Sequence, residues 1–185
     1  RFLIFLLKMN IPSIEVYGEF ASMDIRQSVE KYINSKLLID IKFRNIKAYL
    51  DIKTVNQIDK ESLLKIIKRC LILAHYQNLD TSIYIEFLKT QNKKVLPKRN
   101  TYKLLGPKEI NSGSTSFGAE TKICIWRDEE CNKLILHELI HYHDIDFRHV
   151  NNVDNIVSNH FNIAPEIEKR VYEAYTETWA NIVNV

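Results

Sequence analysis

Apolar and polar positions change period several times along this chain, and each change marks an element. Arg1 to Met9 (RFLIFLLKM) is almost continuously apolar but too short to span a bilayer. It resembles part of a signal h-region without a small-residue cleavage site after it, so it reads as a buried edge strand or the scar of a truncation. Ser13 to Phe20 alternates and predicts a strand. Ser22-Met23-Asp24 then opens a helix to about Leu37, with Ile25, Val29, Tyr32, Ile33 and Leu37 as its buried stripe. Lys42 to Val55 alternates again and predicts one or two strands. A second helix follows from Asp59 to about Tyr76, then a strand over Ser82 to Leu88. Lys122 to Trp126 (KICIW) is rich in β-branched and aromatic residues and predicts a further strand. The stretch from Cys131 to Asp146 has no Pro or Gly and predicts a strong helix, which Asp128, Glu129 and Glu130 precede with acidic side chains. Ala164-Pro165-Glu166 predicts the start of a last helix. The class is α+β, with no internal repeat.

Between these elements, Lys93 to Asn100 (KKVLPKRN) reads as a solvated basic loop, and Gly106-Pro107 as a turn. Ser112-Gly113-Ser114-Thr115-Ser116 reads as a connection into the strand at Lys122, with a loop over a metal site as the alternative. Val150 to Asn162 reads as a polar, Asn-rich connection.

Composition adds bounds. A length of 185 residues suits one domain with a full core. A net charge of +3 is too small to point to nucleic acid or an anionic membrane. Cys70, Cys124 and Cys131 are odd in number and form no CxxC, which favours an intracellular setting over a secreted disulfide scaffold.

The chemistry lies in His137-Glu138-Leu139-Ile140-His141. Two histidines four apart stand one above the other on a helix, so both imidazoles can reach one zinc ion. Glu138 points to the same side and can take a proton from a metal-bound water. Leu139 and Ile140 dock the helix on a core. The plain alternative is a core helix with two incidental histidines. The strand at Lys122, with Trp126 lining the cleft or sitting in the core, would stand as the edge beside this helix.

Hydrolytic zinc takes three protein ligands and leaves one position open for water. Gly three residues past His141 and His six past it would mark a metzincin; Asp144 and Phe147 stand there instead. His143 lies on another side of the helix, and His149 and His160 sit in the polar connection. On the last helix, periodicity groups Ile167, Val171, Ala174, Tyr175, Thr178 and Ile182 as an apolar stripe and leaves Glu166, Arg170, Glu173, Glu177 and Ala180 on a face that solvent would take.

The HELIH motif together with Glu173-Ala174-Tyr175-Thr176-Glu177-Thr178-Trp179-Ala180 resembles the gluzincin branch of the HExxH zinc metallopeptidases. The resemblance covers about the last 65 residues, and the gap before the glutamate is closer to those of clostridial neurotoxin light chains and anthrax lethal factor than to thermolysin-like enzymes. It implies Glu173 as third ligand, Glu177 as the carboxylate that orients a zinc histidine, and Trp179-Ala180 as a pair packing this helix on the first. The other register makes Glu177 the ligand and Asn181 its partner. It further implies a zincin-like catalytic portion over residues 111–185, beside an N-terminal α/β portion over 1–110, in a single domain. With the Ile-, Asn- and Lys-rich composition, the chain is also similar to metallopeptidase-like proteins of large DNA viruses, in a cytoplasmic or virion-associated setting.

The implied activity is zinc-dependent endopeptidase hydrolysis of a peptide or protein, with one Zn2+ per chain and Glu138 as the proton carrier. The oxyanion donor is open among Tyr172, Tyr175, His149, His160 and Arg170, and Asp144 is a candidate hydrogen-bond partner for a ligand. A non-catalytic interaction domain and a zinc amidohydrolase acting on non-peptide amides are the rival readings.

Overall fold

Among the described residues of the computed structural model of the chain, six strands form one mixed sheet, in the order β1-β2-β3-β4-β6-β5. They are β1 (Leu3–Leu7), β2 (Ser35–Phe43), β3 (Ile46–Thr54), β4 (Ser82–Thr90), β5 (Gly113–Ser116) and β6 (Lys122–Arg127). The helices described from end to end are α1 (Pro107–Ile110), α2 (Cys131–Tyr142), α3 (Val153–Phe161) and α4 (Val171–Val183). The structure describes residues 3–7, 27, 35–43, 46–54, 61, 65, 68–69, 82–90, 92–98, 105–116, 122–150 and 152–184. The architecture is mixed α+β, as the patterning predicts.

β1–β2, β2–β3 and β5–β6 pair antiparallel, while β3–β4 and β4–β6 pair parallel. Of the three strands in parallel pairing, β4 and β6 are buried on both faces apart from the exposed Tyr84. Register partners share a face, so Ile85, Phe87, Ile123, Ile125, Gly113 and Thr115 lie on one side. That side receives α2, because a Cβ on Gly113 would meet Leu134 Cδ2 of that helix at 2.9 Å. Ile135, Leu136 and Leu139 of α2 are buried there with Ile83, Ile85, Phe87, Ile123 and Ile125. Burying each such side chain is worth roughly 1.5–3 kcal/mol, so this layer fixes the helix firmly on the sheet.

Several sequence expectations need correction. The edge strand beside α2 is β5, formed by the Gly-Ser-Thr-Ser stretch expected as a loop, whereas Lys122–Arg127 lies inside the sheet. Trp126 is fully buried and donates from Nε1 to the Asn111 carbonyl at 3.2 Å, so it belongs to the core. The helix with the HExxH motif ends at Tyr142 rather than Asp146. The last helix begins at Val171, not Pro165, and the Asn-rich connection contains α3. The first helix cannot reach Leu37, since Ser35 already belongs to β2; Gln27 is helical, and its remainder lies outside the described residues. The strand expected over Ser13–Phe20 also lies outside them, as does most of the helix expected from Asp59, of which Glu61, Lys65, Lys68 and Arg69 are helical. The basic loop is only partly solvated: the Lys94 amide donates to Glu129 Oε1 at 2.6 Å, and its Nζ pairs with Glu130.

Among the described residues, no helix is long and apolar enough to cross a membrane.

Candidate metal centre

His137 and His141 rise from one face of α2, and Glu173 meets them from the first turn of α4. Nε2 of His141 lies 3.0 Å from Nε2 of His137, and Oε2 of Glu173 lies 3.3 Å from each. Among the described residues these three form the one group of His, Cys, Asp or Glu side chains that could hold a metal ion.

Each imidazole is anchored through its other nitrogen. His137 Nδ1 lies 3.2 Å from Glu177 Oε2, and His141 Nδ1 lies 2.5 Å from Asp146 Oδ2. Burial alone would raise the Asp146 carboxyl, but hydrogen bonds from Arg148 and His141 outweigh it and hold the group below its usual range. Glu177 is likewise held down, the hydrogen bond and charge of Lys133 overcoming burial. An ionised carboxylate only accepts, so each Nδ1 is placed to donate to the carboxylate behind it. Each Nε2 faces Glu173, whose carboxyl is held far below the carboxylate range by hydrogen bonds from His137 and His141.

Three atoms that can each donate an electron pair thus converge, an arrangement that could hold a cation. In a tetrahedral zinc site with bonds of about 2.0–2.1 Å, donor atoms stand roughly 3.3–3.4 Å apart. The observed triangle fits that size, and two imidazoles with a carboxylate suit zinc chemically. For His141, burial opposes the charge, yet hydrogen bonds to Glu173 and Asp146 raise its pKa, as expected of a group facing two carboxylates.

Glu138 is buried at the next position of α2. Its Oε2 accepts from Thr115 Oγ1 at 2.7 Å, and the same hydroxyl lies 3.1 Å from the Glu138 carbonyl. Burial pushes the Glu138 carboxyl up, and the neighbouring imidazoles and Thr115 offset this only in part. A buried carboxyl raised in this way is of the kind that can serve as a general acid or base.

Edge strand β5 flanks this group. The Trp126 amide donates to the Ser112 carbonyl at 3.0 Å, which makes that pair hydrogen-bonded. Alternation along the ladder then turns the backbone N–H and C=O of Gly113 and Thr115 outward, away from β6.

The turn after α2 is the part sequence reasoning missed. Ile145 N–H donates to the Ile140 carbonyl at 3.2 Å and Asp144 N–H to His141 at 3.0 Å, a Schellman closure with Asp144 in the left-handed region at φ 55°. This closure carries Asp146, not Asp144, back under His141. Asp144 faces outward, 3.2 Å from His149 Nε2. No Gly marks the reversal, so little in the sequence signals it.

Of the oxyanion candidates, Tyr172 has its ring centroid 6.2 Å from that of His141. Tyr175 instead packs on Phe147 at 4.3 Å and Trp179 at 6.2 Å. Arg170 is exposed and pairs with Glu168, and His149 and His160 are exposed. His143 is pushed down to about 4 by burial. On α4 the expected faces exchange roles: Thr176 and Ala180 are buried, while Ala174, Thr178 and Ile182 are exposed. Ala180 is in the core as expected of the packing pair, but Trp179 is 44% exposed.

Comparison with protein-family models, with curated proteins and with solved structures finds no match to this chain.

Proposed function

We propose that this protein is a zinc metallopeptidase of gluzincin type. The observation that carries the reading is the convergence of His137 Nε2, His141 Nε2 and Glu173 Oε2, with each Nδ1 within hydrogen-bond distance of a carboxylate behind it. These three residues would hold one zinc per chain, and Glu177 and Asp146 would keep the imidazoles in the binding tautomer. When bound, zinc supplies Lewis-acid polarisation and a water acidic enough to deprotonate near neutrality.

The chain's own residues do the rest. Glu138 accepts the proton of the attacking water and returns it to the departing amine. Thr115 holds one oxygen of Glu138 and leaves the other for that work. Tyr172, beside His141, donates to the developing oxyanion. The outward backbone groups of Gly113 and Thr115 offer an extended peptide two residues to pair with, as in strand addition. Zincin-like topology, with β5 as the substrate edge beside α2, belongs to the same proposal.

Metal content of the purified wild type and His141→Ala, read by mass spectrometry, tests the site first. About one zinc per chain, lost in the variant, is expected. A peptide-library screen against Glu138→Gln then tests the chemistry. A zinc-loaded wild type no more active than Glu138→Gln would leave a non-catalytic domain as the reading.

A further inference from the structure

The two imidazoles are anchored by different means. His137 depends on Glu177, a residue of another helix whose side chain is 45% exposed and which also serves Lys133 at 2.6 Å and Asn181 at 3.2 Å. His141 depends on Asp146, five residues away and fully buried. Arg148 in turn grips Asp146 from Nε at 3.0 and 2.9 Å, from Nη2 at 2.6 Å and from its backbone N–H at 3.2 Å. The same Nη2 donates to the His141 carbonyl at 3.1 Å. The circuit from His141 through Asp146 and Arg148 back to the His141 backbone therefore closes within one short stretch.

The backbone of that stretch bends in an uncommon way. Asp144 and Phe147 both take positive φ, 55° and 64°, without being glycine. For a bulky aromatic residue this conformation persists only when its surroundings impose it. The Schellman bonds hold the first bend, and the ring of Phe147 against Tyr175 holds the second. A bare helix-end ion pair needs neither bend; delivering a carboxylate to His141 Nδ1 and a guanidinium behind it needs both.

We propose that Asp146 and Arg148 are positioning residues that preset His141 as a metal donor before any metal arrives and without the carboxylates of α4, so that His141 is the fixed ligand and His137 the one completed by α4. This deepens the metal reading above and rests on it. Leaving out the carboxylate behind a metal histidine lowers affinity by about 10–100-fold.

The test uses the full-length chain, metal-free, at a pH above the titration of both imidazoles, with long-range nitrogen–proton correlations to report which ring nitrogen carries the proton. His141 should be a single Nδ1–H tautomer in the wild type and remain so in a Glu173→Ala/Glu177→Ala double variant, while His137 becomes a mixture. Asp146→Ala should mix the His141 tautomers and weaken zinc, measured by chelator competition, by about 10–100-fold. Asp146→Asn, which keeps an acceptor for Nδ1–H, should restore the tautomer and part of the affinity, and it carries the test if the alanine variant does not fold. Arg148→Met should behave as a weaker Asp146→Ala, with Arg148→Lys between it and the wild type.

A wild-type His141 that is already mixed, or one that follows His137 in the double variant, would overturn the proposal. So would unchanged zinc affinity in a folded Asp146→Ala. A wild type that binds no zinc overturns the metal reading itself; that outcome is separate, because the tautomers are read without metal.

Discussion

The hydroxyl of Thr115 stands 2.7 Å from Oε2 of Glu138 and 3.1 Å from the carbonyl oxygen of the same residue. A hydroxyl has one hydrogen to donate, so it serves the nearer carboxylate oxygen and keeps the carbonyl as an alternative. Thr115→Val keeps the shape of the side chain and removes the donor. It is expected to destabilise the fold by about 1–3 kcal/mol, the cost of an unpaired buried acceptor, with Thr115→Ser recovering most of the loss. Urea unfolding of the three proteins checks this; coincident midpoints would show that the bond contributes nothing.

Gly113 allows the close approach of α2 to the sheet edge. A Cβ there would lie 2.9 Å from Leu134 Cδ2 and 3.0 Å from the Cys124 carbonyl oxygen. Leu134 can swing aside, but the strand backbone cannot. Gly113→Ala should therefore cost about 1–3 kcal/mol, as overpacking does. Adding Leu134→Ala should not restore stability. A single variant with the wild-type melting temperature would refute the close approach.

Glu173 and Glu177 should separate cleanly in zinc affinity. Glu173→Gln removes a donor from the triangle and should abolish tight binding. Glu177→Gln keeps an acceptor for His137 Nδ1 and should weaken binding by about 10–100-fold at most. Equilibrium competition against a chelator decides, and the reverse order would make Glu177 the third ligand.

Asp144 should prove irrelevant to the metal. It occupies the left-handed position after α2 at φ 55°, where glycine is the residue best suited. Asp144→Gly is expected to hold stability or raise it by up to about 1 kcal/mol with zinc affinity unchanged. Asp144→Val should lower the melting temperature instead. A large loss of zinc in the glycine variant would restore Asp144 as a partner of the site.

Burial lowers His143 from 6.5 to about 4, and among the described residues its Nε2 has no hydrogen-bond partner. The folded state thus binds this proton more weakly than the unfolded chain. The contribution of neutral His143 is fully present above 6.5 and is lost as pH falls toward 4. His141 has the opposite sign: its pKa is raised, so its contribution is full below 6.5 and is lost as pH rises through the folded value. In the metal-free protein, His143→Phe should flatten the acid loss of stability between 6.5 and about 4. Equal slopes for the two proteins in denaturant titrations across that window would contradict it.

What could be read from sequence follows from how local each signal is. The HExxH spacing is a property of one helix, so the meeting of His137 and His141 needs nothing beyond periodicity. Lys122–Arg127 reads as a strand because both its faces are buried. Glu173 and Glu177 were visible only through resemblance: periodicity assigns their face to solvent, whereas in the structure it meets His137, His141 and Lys133 of α2. β5 has loop composition and becomes a strand through pairing with β6, a tertiary effect that propensity does not contain. Asp146 is hidden because its bend is made by Asp144, a weaker positive-φ signal than glycine, and by Phe147, which carries none.

Between the two helices of the metal centre, none of the described residues in 147–150 and 152–170 is buried. A segment with so little in the core can open locally at small cost in free energy, whatever the stability of the sheet. His141 and Glu173 stand at its two ends, so an ion shared between them works as a clasp on the intervening chain. A protease should nick the metal-free protein within this stretch first and spare it once zinc is added, making the pattern of fragments a direct gauge of whether the clasp is shut.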